Sequence, residues 1–372
     1  MVANKKIVHL SSAHPRDDVR IFRKMAMSAS KHYDVLFIVA DGLGQSVIDG
    51  IKILDAGKRS DSRLRRMTST VDKVYKKALK AEGDLYHLHD PELIPIGLKL
   101  KRKGFKVIFD AHEDLPKQLR SKPYLNSVLK RLLPFVFEAY EKFAFKKFDA
   151  VVGATPAITK KLAGINPMSY NINNYPILGE LKSSADSDWS TKRNEVCYLG
   201  GISEIRGITE LVAALPHVSS IRLNLAGRFS AIGTERDVKA SIGWEQVNAL
   251  GFINRREAAD VLARSKAGIV TFHDYPNHVD AQPNKMFEYM SAGLPIIASN
   301  FALWKQIVEG NHCGICVDPR DSSAIADAIS YILENPKEAQ RMGSNSLTAV
   351  KERYNWLPEE KTLISMYKRI LS

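Results

Sequence analysis

Residues 283–299 read PNKMFEYMSAGLPIIAS, and this segment contains the junction that decides the fold. Asn284 and Lys285 open a stretch with helical spacing, Gly293 and Pro295 end it, and an apolar β-branched run follows at once. A helical pattern that gives way directly to a strand pattern is typical of a βαβ unit, in which a helix leads back into a parallel sheet.

The same alternation of strand and helix patterns extends along the chain in two series. The first contains the strand patterns KKIVHLSS, YDVLFIVADG, DLYHLHD, KVIFDAHED and DAVVGAT, and the second runs from NEVCYLGG to GICVDP. Strands that alternate with helices predict parallel sheets with helices on both faces. We therefore predict an α/β protein with two doubly wound, Rossmann-like domains.

A polar stretch, GELKSSADSDWSTKRNE, separates the two series and is typical of a linker. It places the first domain at residues 1–178 and the second at residues 190–355. The last segment, residues 356–372, has a helical pattern, and we expect it to pack back on the first domain.

Composition narrows the class of protein. The chain has 372 residues, of which 45% are hydrophobic and 26% charged, as in soluble proteins with two ordinary domains. No run approaches the about 18 apolar residues of a membrane span, and the first apolar run is too short for a signal peptide. The sequence predicts a cytoplasmic protein, and its three cysteines support no disulfide framework.

Positive charge is concentrated in the first half of the chain. Residues 1–180 hold 32 Lys and Arg against 19 Asp and Glu, whereas residues 181–372 hold 22 of each. This asymmetry predicts an anionic partner for the first domain: a nucleic acid, an anionic membrane surface or a phosphorylated substrate. The alternative is a basic protein that its surface lysines keep soluble, but we favour the anionic partner.

The loop after the first strand, SSAHPRDDVRIFRK, is one candidate for an anion site. It brings together five basic residues: His14, Arg16, Arg20, Arg23 and Lys24. They either meet an anion at the start of a helix or form a solvated basic face. The loop lacks GxGxxG, so it gives no support for a dinucleotide site.

Two neighbouring strands end in histidines and acids, in the sequences HLHDP and DAHED. His87 and His89 share one face of their strand. They could be metal ligands, although the sequence shows no third ligand nearby, or they could be satisfied inside the fold. Because His112 follows the next strand, we favour a third interpretation, in which histidines reach a cleft at the carboxyl edge of the sheet.

In the second half, Gly200 and Gly201 directly follow a strand. Paired glycines let the backbone approach a phosphate closely, and Arg206 can add a fork of donors to phosphate oxygens. A glycine turn before a helix is common, so this signal is weak on its own.

The opening segment adds a second contact with the same kind of ligand. Pro283 suits the first position of a helix, whose free N–H groups favour a phosphate, and Lys285 adds positive charge. Glu288 accepts hydrogen bonds only, which suits the paired hydroxyls of a ribose. Together these residues predict a bound nucleotide diphosphate.

On these motifs the chain resembles the retaining glycosyltransferases of family 4, with the GT-B fold, of the type that builds bacterial surface polysaccharides. The resemblance spans nearly the whole chain, and its most specific motif is the helix before GLP. The usual Glu-x7-Glu is here Asp280-x7-Glu288. The resemblance implies that Asp280 contacts the donor sugar and Glu288 the ribose, in a cleft between the domains.

The phosphate loop departs from the family pattern. Gly201 stands where an arginine is usual, Arg206 stands where a lysine is usual, and Arg228 is a candidate for the second cation. Asp17 and Asp18 stand where the family has an early Gly-Gly loop.

The resemblance implies transfer of a hexose from a nucleotide diphosphate sugar, commonly a UDP-sugar, to a hydroxyl with retained configuration. No metal or other cofactor is implied. The implied catalytic residues are His89 over the sugar, His112 nearby, Arg206 and Asp280. The implied donor-binding residues are Gly200, Gly201, Arg206, Arg228, Asn284, Lys285 and Glu288.

The first domain would bind the acceptor. Basic amphipathic stretches suit an anionic membrane that carries a lipid-linked, pyrophosphate-bearing glycan, and thus a site on the inner face of the cytoplasmic membrane. In one of them Leu125, Val128, Leu129, Leu132 and Leu133 follow helical spacing. The same pattern also fits core-facing helices.

Two other functions fit part of the sequence. A sugar-nucleotide epimerase with the GT-B fold would bind the same nucleotide but need no acceptor. A non-catalytic protein could use the basic half to bind a polyanion, although no motif for binding nucleic acid is present and we expect no nucleic-acid partner.

Overall fold

The computed structural model describes residues 5–62, 65–120, 126–181 and 189–372. The chain divides into two compact units: the first ends at Asn174 and includes Trp356–Ser372, and the second is Tyr175–Asn355. Each unit is a largely parallel sheet covered by helices, which confirms the predicted fold class.

The division lies ahead of the polar stretch that the sequence favoured as a linker. The Tyr175 ring packs edge-on against Phe287 and Tyr354, with centroids 4.8 and 5.4 Å apart. Leu181 is buried in the same core. These apolar contacts explain why the second unit begins before residue 178. Residues 182–188 of the polar stretch lie outside the described residues.

The sheet of the first unit has eight strands among the described residues, in the order β3-β4-β2-β1-β5-β6-β7-β8. All neighbours are parallel except β3 and β4. The five strands predicted from the sequence are β1, β2, β5, β6 and β7. The strands are Lys6–Leu10 (β1), Asp34–Val39 (β2), Ser46–Ile48 (β3), Ile51–Asp55 (β4), Leu85–Leu88 (β5), Lys106–Ala111 (β6), Ala150–Gly153 (β7) and Ser169–Asn171 (β8).

The helices of the first unit pack on both faces of this sheet. A π-helical segment, Val19–Ala26, continues into the first α-helix, and Asp18 caps it by accepting from Arg20 N and Ile21 N. The α-helices are Met27–Ser30 (α1), Val71–Ala81 (α2), Ile94–Arg102 (α3), Leu115–Arg120 (α4), Ser127–Phe145 (α5) and Pro156–Ala163 (α6), together with the C-terminal helix Trp356–Leu371.

The C-terminal helix packs on the first unit through polar as well as apolar contacts. Trp356 Nε1 donates to Ser28 Oγ at 2.9 Å, and the Glu359 carboxylate accepts from Asn173 N at 2.7 Å. Tyr367 is fully buried. These contacts hold the C-terminal helix against α1 and the chain after β8.

Helix α5 departs from one interpretation of its sequence. Val128, Leu129, Leu132 and Leu133 all lie on it, whereas Leu125 lies outside the described residues. Val128 and Leu132 are 71% and 54% exposed, so the core-facing alternative is wrong for these two side chains. Among the described residues, no helix is both long and apolar enough to span a bilayer.

The second unit has a six-stranded parallel sheet among its described residues, in the order β11-β10-β9-β12-β13-β14. Its strands are Glu195–Leu199 (β9), Arg222–Ala226 (β10), Val247–Gly251 (β11), Ala267–Val270 (β12), Ile296–Ser299 (β13) and Gly314–Val317 (β14). Its helices are Ile208–Ala214 (α7), Ile232–Lys239 (α8), Arg255–Arg264 (α9), Asn284–Ser291 (α10), Ala302–Val308 (α11), Ser322–Glu334 (α12) and Pro336–Glu352 (α13). Strand β9 lies next to β12, so the loops after both strands meet at one carboxyl edge.

Candidate active site

The glycine turn after β9 lies against the backbone of the neighbouring loop. Gly200 has φ of +114°, which favours glycine, and its N–H donates to Ala226 O at 2.8 Å. A Cβ on Gly227 would collide with the Gly200 carbonyl oxygen. The two loops thus approach as closely as their backbones allow.

Lys285, on the first turn of α10, lies beside this glycine turn. The residue is 8% exposed, and its Nζ has no hydrogen-bond partner among the described residues. Nζ lies 3.5 Å from the centroid of the Tyr198 ring and 3.6 Å from the place of a Cβ on Gly200. Burial lowers the pKa of Lys285 well below its ordinary value, and the charge of Arg206 lowers it further.

Arg206 lies on the short turn Glu204–Arg206 and occupies the space in front of Gly201. Its Nη1 donates to Gly201 O at 3.0 Å, and a Cβ on Gly201 would lie 2.5 Å from that nitrogen. The departure of Gly201 from the family pattern therefore has a physical reason. A guanidinium already fills the space that a side chain at position 201 would enter.

Glu288 is held by an arginine that the sequence analysis missed. Arg255 Nη1 donates to Glu288 Oε1 at 2.7 Å, and its Nη2 lies 3.0 Å from Glu180 Oε2. The sequence contained a signal for this position, because Asn254 and Glu257 form a capping box that places Arg255 at the start of α9, shortly after β11. One carboxylate oxygen of Glu288 is thus held by Arg255.

The start of α10 differs from the prediction in one detail. Pro283 is the N-cap and not the first helical residue, because its ψ of 128° is extended, and Asn284 is the first residue of the helix. Asp280 is exposed in the preceding loop. Arg228 is also exposed; its carbonyl accepts from Ile202 N at 3.0 Å, and its guanidinium lies 5.3 Å from the Phe252 ring centroid.

The carboxyl edge of the first unit contains a buried histidine cluster. His9 and His87 are register partners on β1 and β5, and His89 follows β5. All three are at most 1% exposed, and His9 Nδ1 lies 2.9 Å from His89 Nε2. The prediction that His89 reaches outward over a sugar does not match this burial. Burial lowers the pKa of each of the three imidazoles.

Asp110, at the end of β6, is the shared partner of Arg20, His89 and His112. Arg20 donates to its two carboxylate oxygens at 2.9 and 2.7 Å, His89 Nδ1 lies 3.1 Å away, and His112 Nε2 lies 2.8 Å away. Burial alone would raise the pKa of Asp110, but Arg20 and the two histidines hold it well below its ordinary value. The His112 side chain is 20% exposed, so it is the histidine of this group that reaches the surface.

The basic loop after β1 is not the open anion site that the sequence allowed. Arg16 is paired with Asp41 at 2.7 Å, Arg20 with Asp110, and Lys24 Nζ donates to Asn174 Oδ1 at 2.6 Å. Arg23 is exposed. Most of these cations are already satisfied within the first unit.

His14, in the same loop, is paired with Asp90. Its Nδ1 lies 2.8 Å from Asp90 Oδ1. Burial lowers the pKa of His14, but Asp90 outweighs it and raises the value to about 8. The Asp90 carboxylate also accepts from Ser11 and Ser12, which fixes the loop.

Among the described residues, two groups of three side chains have ligand atoms within 4.8 Å of one another: His9, His87 and His89, and His89, Asp110 and His112. His9 is the third ligand that the sequence did not reveal. However, the 2.9 Å between His9 and His89 nitrogens is a hydrogen-bond distance, shorter than the about 3.3 Å between two nitrogens on one tetrahedral zinc. The cluster fits a hydrogen-bonded network better than a metal centre.

Known proteins resemble this chain in both sequence and fold. Residues 180–348 match the family described as "Glycosyl transferases group 1". The phosphatidyl-myo-inositol mannosyltransferase of Mycobacterium tuberculosis is 23% identical over 327 residues, which cover 84% of this chain and 80% of that protein. The chain spans 39% or less of the length of the first curated relatives that it matches.

Two solved structures cover 98% of the chain. Sucrose-phosphate synthase from Thermosynechococcus elongatus has a TM-score of 0.78 at 18% identity and is covered over 99% of its length. HepE from Anabaena, in complex with UDP-glucose, has a TM-score of 0.73 at 16% identity and is also covered over 99%. The chain has the GT-B fold.

In this GT-B chain, the structure brings some of the predicted residues together. Gly200, Gly201, Arg206 and Lys285 converge around the glycine turn, and Glu288 lies one helical turn beyond Lys285. In the first unit, His112 reaches the surface while His89 lies behind it. Whether these residues bind a donor stays a prediction. The residues that sequence analysis missed are Arg20 as a partner of Asp110, His9, Asp110 and Arg255.

Proposed function

We propose that this protein is a retaining, metal-independent glycosyltransferase that moves a hexose from a nucleotide diphosphate sugar to the hydroxyl of a lipid-linked glycan. One observation carries the proposal: Lys285 is buried beside a glycine turn and its Nζ has no hydrogen-bond partner among the described residues. A buried cation without a counter-charge is costly, so such a site favours an anionic ligand.

The ligand that fits this site is a diphosphate. Lys285 Nζ lies beside Gly200 and the Arg206 guanidinium lies in front of Gly201, so the turn is flanked by two cations that a diphosphate can meet. In the transfer, negative charge develops on the leaving diphosphate, and fixed donors at that position lower the barrier. Two fixed cations can stabilise this charge without a divalent ion.

The nucleoside and sugar would extend from the diphosphate in opposite directions. Glu288, oriented by Arg255, accepts from the ribose hydroxyls. Asp280 would contact the donor sugar, and His112 is the candidate catalytic residue of the first unit. UDP is the nucleotide we favour, because the HepE structure of similar fold contains UDP-glucose. Retention follows from the likeness of the Asp280-x7-Glu288 segment to the retaining family.

The acceptor side of the proposal depends on helix α5. Val128, Leu132 and Phe135 are 71%, 54% and 73% exposed, and Val136 and Phe143 add to the apolar surface at 52% and 51%. Lys130, Arg131 and Lys142 lie on the same helix, and Lys146 and Lys147 follow it. Apolar side chains flanked by cations suit an anionic bilayer. The likeness to a phosphatidyl-myo-inositol mannosyltransferase agrees with a lipid acceptor.

We therefore propose that the protein acts in surface polysaccharide biosynthesis, attached through α5 to the cytoplasmic face of the membrane.

The donor site is tested by thermal shift with nucleotide diphosphates and sugar nucleotides in EDTA. At about 100 times its Kd, a ligand stabilises the native state by about 2.7 kcal/mol. We expect UDP and UDP-hexoses to raise the midpoint of the wild type, and Glu288→Ala and Lys285→Met to lose that response. Lys192→Met is the control, because Lys192 is equally buried but donates to Ala263 O and Ser265 O. If no nucleotide diphosphate shifts the wild type, the donor site is wrong.

The membrane site is tested by sedimentation with vesicles at low salt. We expect binding to vesicles of phosphatidylglycerol and phosphatidylcholine, and loss of binding in the double variant Leu132→Glu, Phe135→Glu. Ile232→Glu is the control, because Ile232 is 88% exposed on α8 of the second unit. Wild-type protein that ignores anionic vesicles, or a double variant that binds as the wild type does, would contradict docking through α5.

A further inference from the structure

A line of buried polar rings connects the C-terminal helix with the carboxyl edge of the first unit. Tyr367 Oη lies 2.7 Å from His87 Nδ1 and 3.5 Å from His9 Nε2. His9 Nδ1 lies 2.9 Å from His89 Nε2, and His89 Nδ1 lies 3.1 Å from Asp110 Oδ2. Every member is at most 1% exposed, so no bulk water can substitute for a missing partner.

The positions of the protons follow from the charged end of this line. Asp110 accepts two hydrogen bonds from Arg20 and is ionised, so it can only accept. His89 must therefore carry its proton on Nδ1, which leaves its Nε2 as an acceptor. His9 must then carry its proton on Nδ1 and donate to His89, which leaves the His9 Nε2 lone pair facing Tyr367.

Two arrangements are open to the tyrosine hydroxyl. If it donates to His87, the His87 Nε2–H is a buried donor without a partner, and His9 Nε2 also lacks one. If it donates to His9 and accepts from His87 Nδ1–H, only a lone pair on His87 is unmatched. A buried N–H without an acceptor costs more free energy than an unmatched lone pair, so the second arrangement is favoured. Every proton in the line then points towards Asp110.

We propose that Tyr367 and His9 are positioning residues for His112, acting through His89 and Asp110. With the proton of His89 fixed on Nδ1, the Asp110 carboxylate stays ionised and in place. It holds His112 at Nε2, 2.8 Å away, and leaves His112 Nδ1 for the substrate. This inference rests on the proposed function only in assigning a substrate to His112.

Loss of the tyrosine hydroxyl would weaken the constraint on the tautomers of His9 and His89. In Tyr367→Phe, His9 Nε2 faces a hydrocarbon ring, so its lone pair has lost its donor and only the hydrogen bond to His89 still keeps the His9 proton on Nδ1. If the proton moves to Nε2, His9 Nδ1 becomes an acceptor facing His89 Nε2, and His89 must turn its own proton towards it. The His89 Nδ1 lone pair would then face the Asp110 carboxylate, which weakens the hold on His112.

Histidine side-chain ¹⁵N NMR on the full chain, without substrate, tests the proton positions. Signals are assigned by single His→Gln variants, and the wild type is expected to show His9, His87 and His89 as Nδ1–H tautomers. Tyr367→Phe is expected to give a mixture at His9 and His89. Tyr86→Phe is the matched control, because Tyr86 is an equally buried tyrosine of the same sheet whose hydroxyl donates to Ala78 O. It should leave all three tautomers unchanged.

Kinetics with a transferable donor supply the second readout. Tyr367→Phe is expected to lower kcat about tenfold with an unchanged donor KM, less than the about 100-fold loss on removing a donor to the transition state. Tyr86→Phe should retain kcat. A wild-type His89 with its proton on Nε2, or tautomers that do not respond to Tyr367→Phe, would overturn the inference. The wild-type spectrum decides even if a variant fails to fold or the protein is not a transferase.

Discussion

The two carboxyl edges differ in how their cations are paired. In the first unit, Arg16, Arg20 and His14 each face a carboxylate of the same unit. In the second unit, Lys285 is buried, but its Nζ lies over the Tyr198 ring and has no hydrogen-bond partner in the described part of the chain, and Arg206 donates to a backbone carbonyl. The first half of the chain nevertheless holds the whole net charge of +13.

The difference teaches that net charge and an anion site are separate properties. Surface lysines and arginines are solvated and set the long-range field of a domain. A binding site needs cations that have lost water without gaining a partner, because only these gain strongly from a ligand. On this criterion the neutral half of the chain holds the better candidate for the proposed diphosphate site.

Asp110→Ala is expected to give the largest change in stability, because it removes the carboxylate that pairs with the buried Arg20. Arg20 would remain buried without its partner, which costs about 3–5 kcal/mol of the free energy of unfolding. Urea unfolding measures the change. Asp72→Ala is the control: its pair with Lys76 is exposed, and we expect at most about 0.5 kcal/mol. Equal effects from the two variants would show that the Arg20–Asp110 pair is not a buried, coupled pair.

Lys285→Met should act in the opposite direction on the stability of the free protein. Replacing an unpaired buried cation by an apolar side chain of similar length is expected to raise the free energy of unfolding by about 1–4 kcal/mol. Lys192→Met should lower it by about 1.5–3 kcal/mol, because Lys192 donates to backbone carbonyls at 2.8 and 2.9 Å. Urea unfolding without ligand compares the two. If Lys285→Met destabilises as Lys192→Met does, Lys285 has a partner and the comparison of the edges fails.

The pair of His14 with Asp90 should give a smaller, pH-dependent effect. The pKa of His14 is raised from 6.5 to about 8, so its contribution is fully present below pH 6.5 and is lost as the pH rises through 8. We expect about 1 kcal/mol, after allowing for the 33% exposure of the side chain. The measurement is urea unfolding of wild type and His14→Gln at pH 6 and pH 9. A gap that is the same at both pH values, or that His32→Gln at an exposed position reproduces, would argue against the pair.

Much of the fold could be predicted because it depends on local pattern. Buried parallel strands read as β-branched runs, and the helix over residues 284–291 ends where Gly293 adopts φ of +71°. The glycine turn and the lysine beside it were also visible, since both lie next to strand or helix ends. The histidine at position 9 was not, because its partners are 78 and 80 residues away in sequence and meet it only through strand pairing.

The sequence by itself determined which residues carry charge, where strands and helices alternate, and which loops follow strands. Those properties depend on residue type and on neighbours within a few positions. Only the tertiary structure decided which charges are satisfied. Arg20 is paired with Asp110 and Glu288 with Arg255, whereas Lys285 is buried with no hydrogen-bond partner for its Nζ among the residues that the structure describes. Pairing depends on contacts between distant segments and on the loss of water around them, and no local pattern records either.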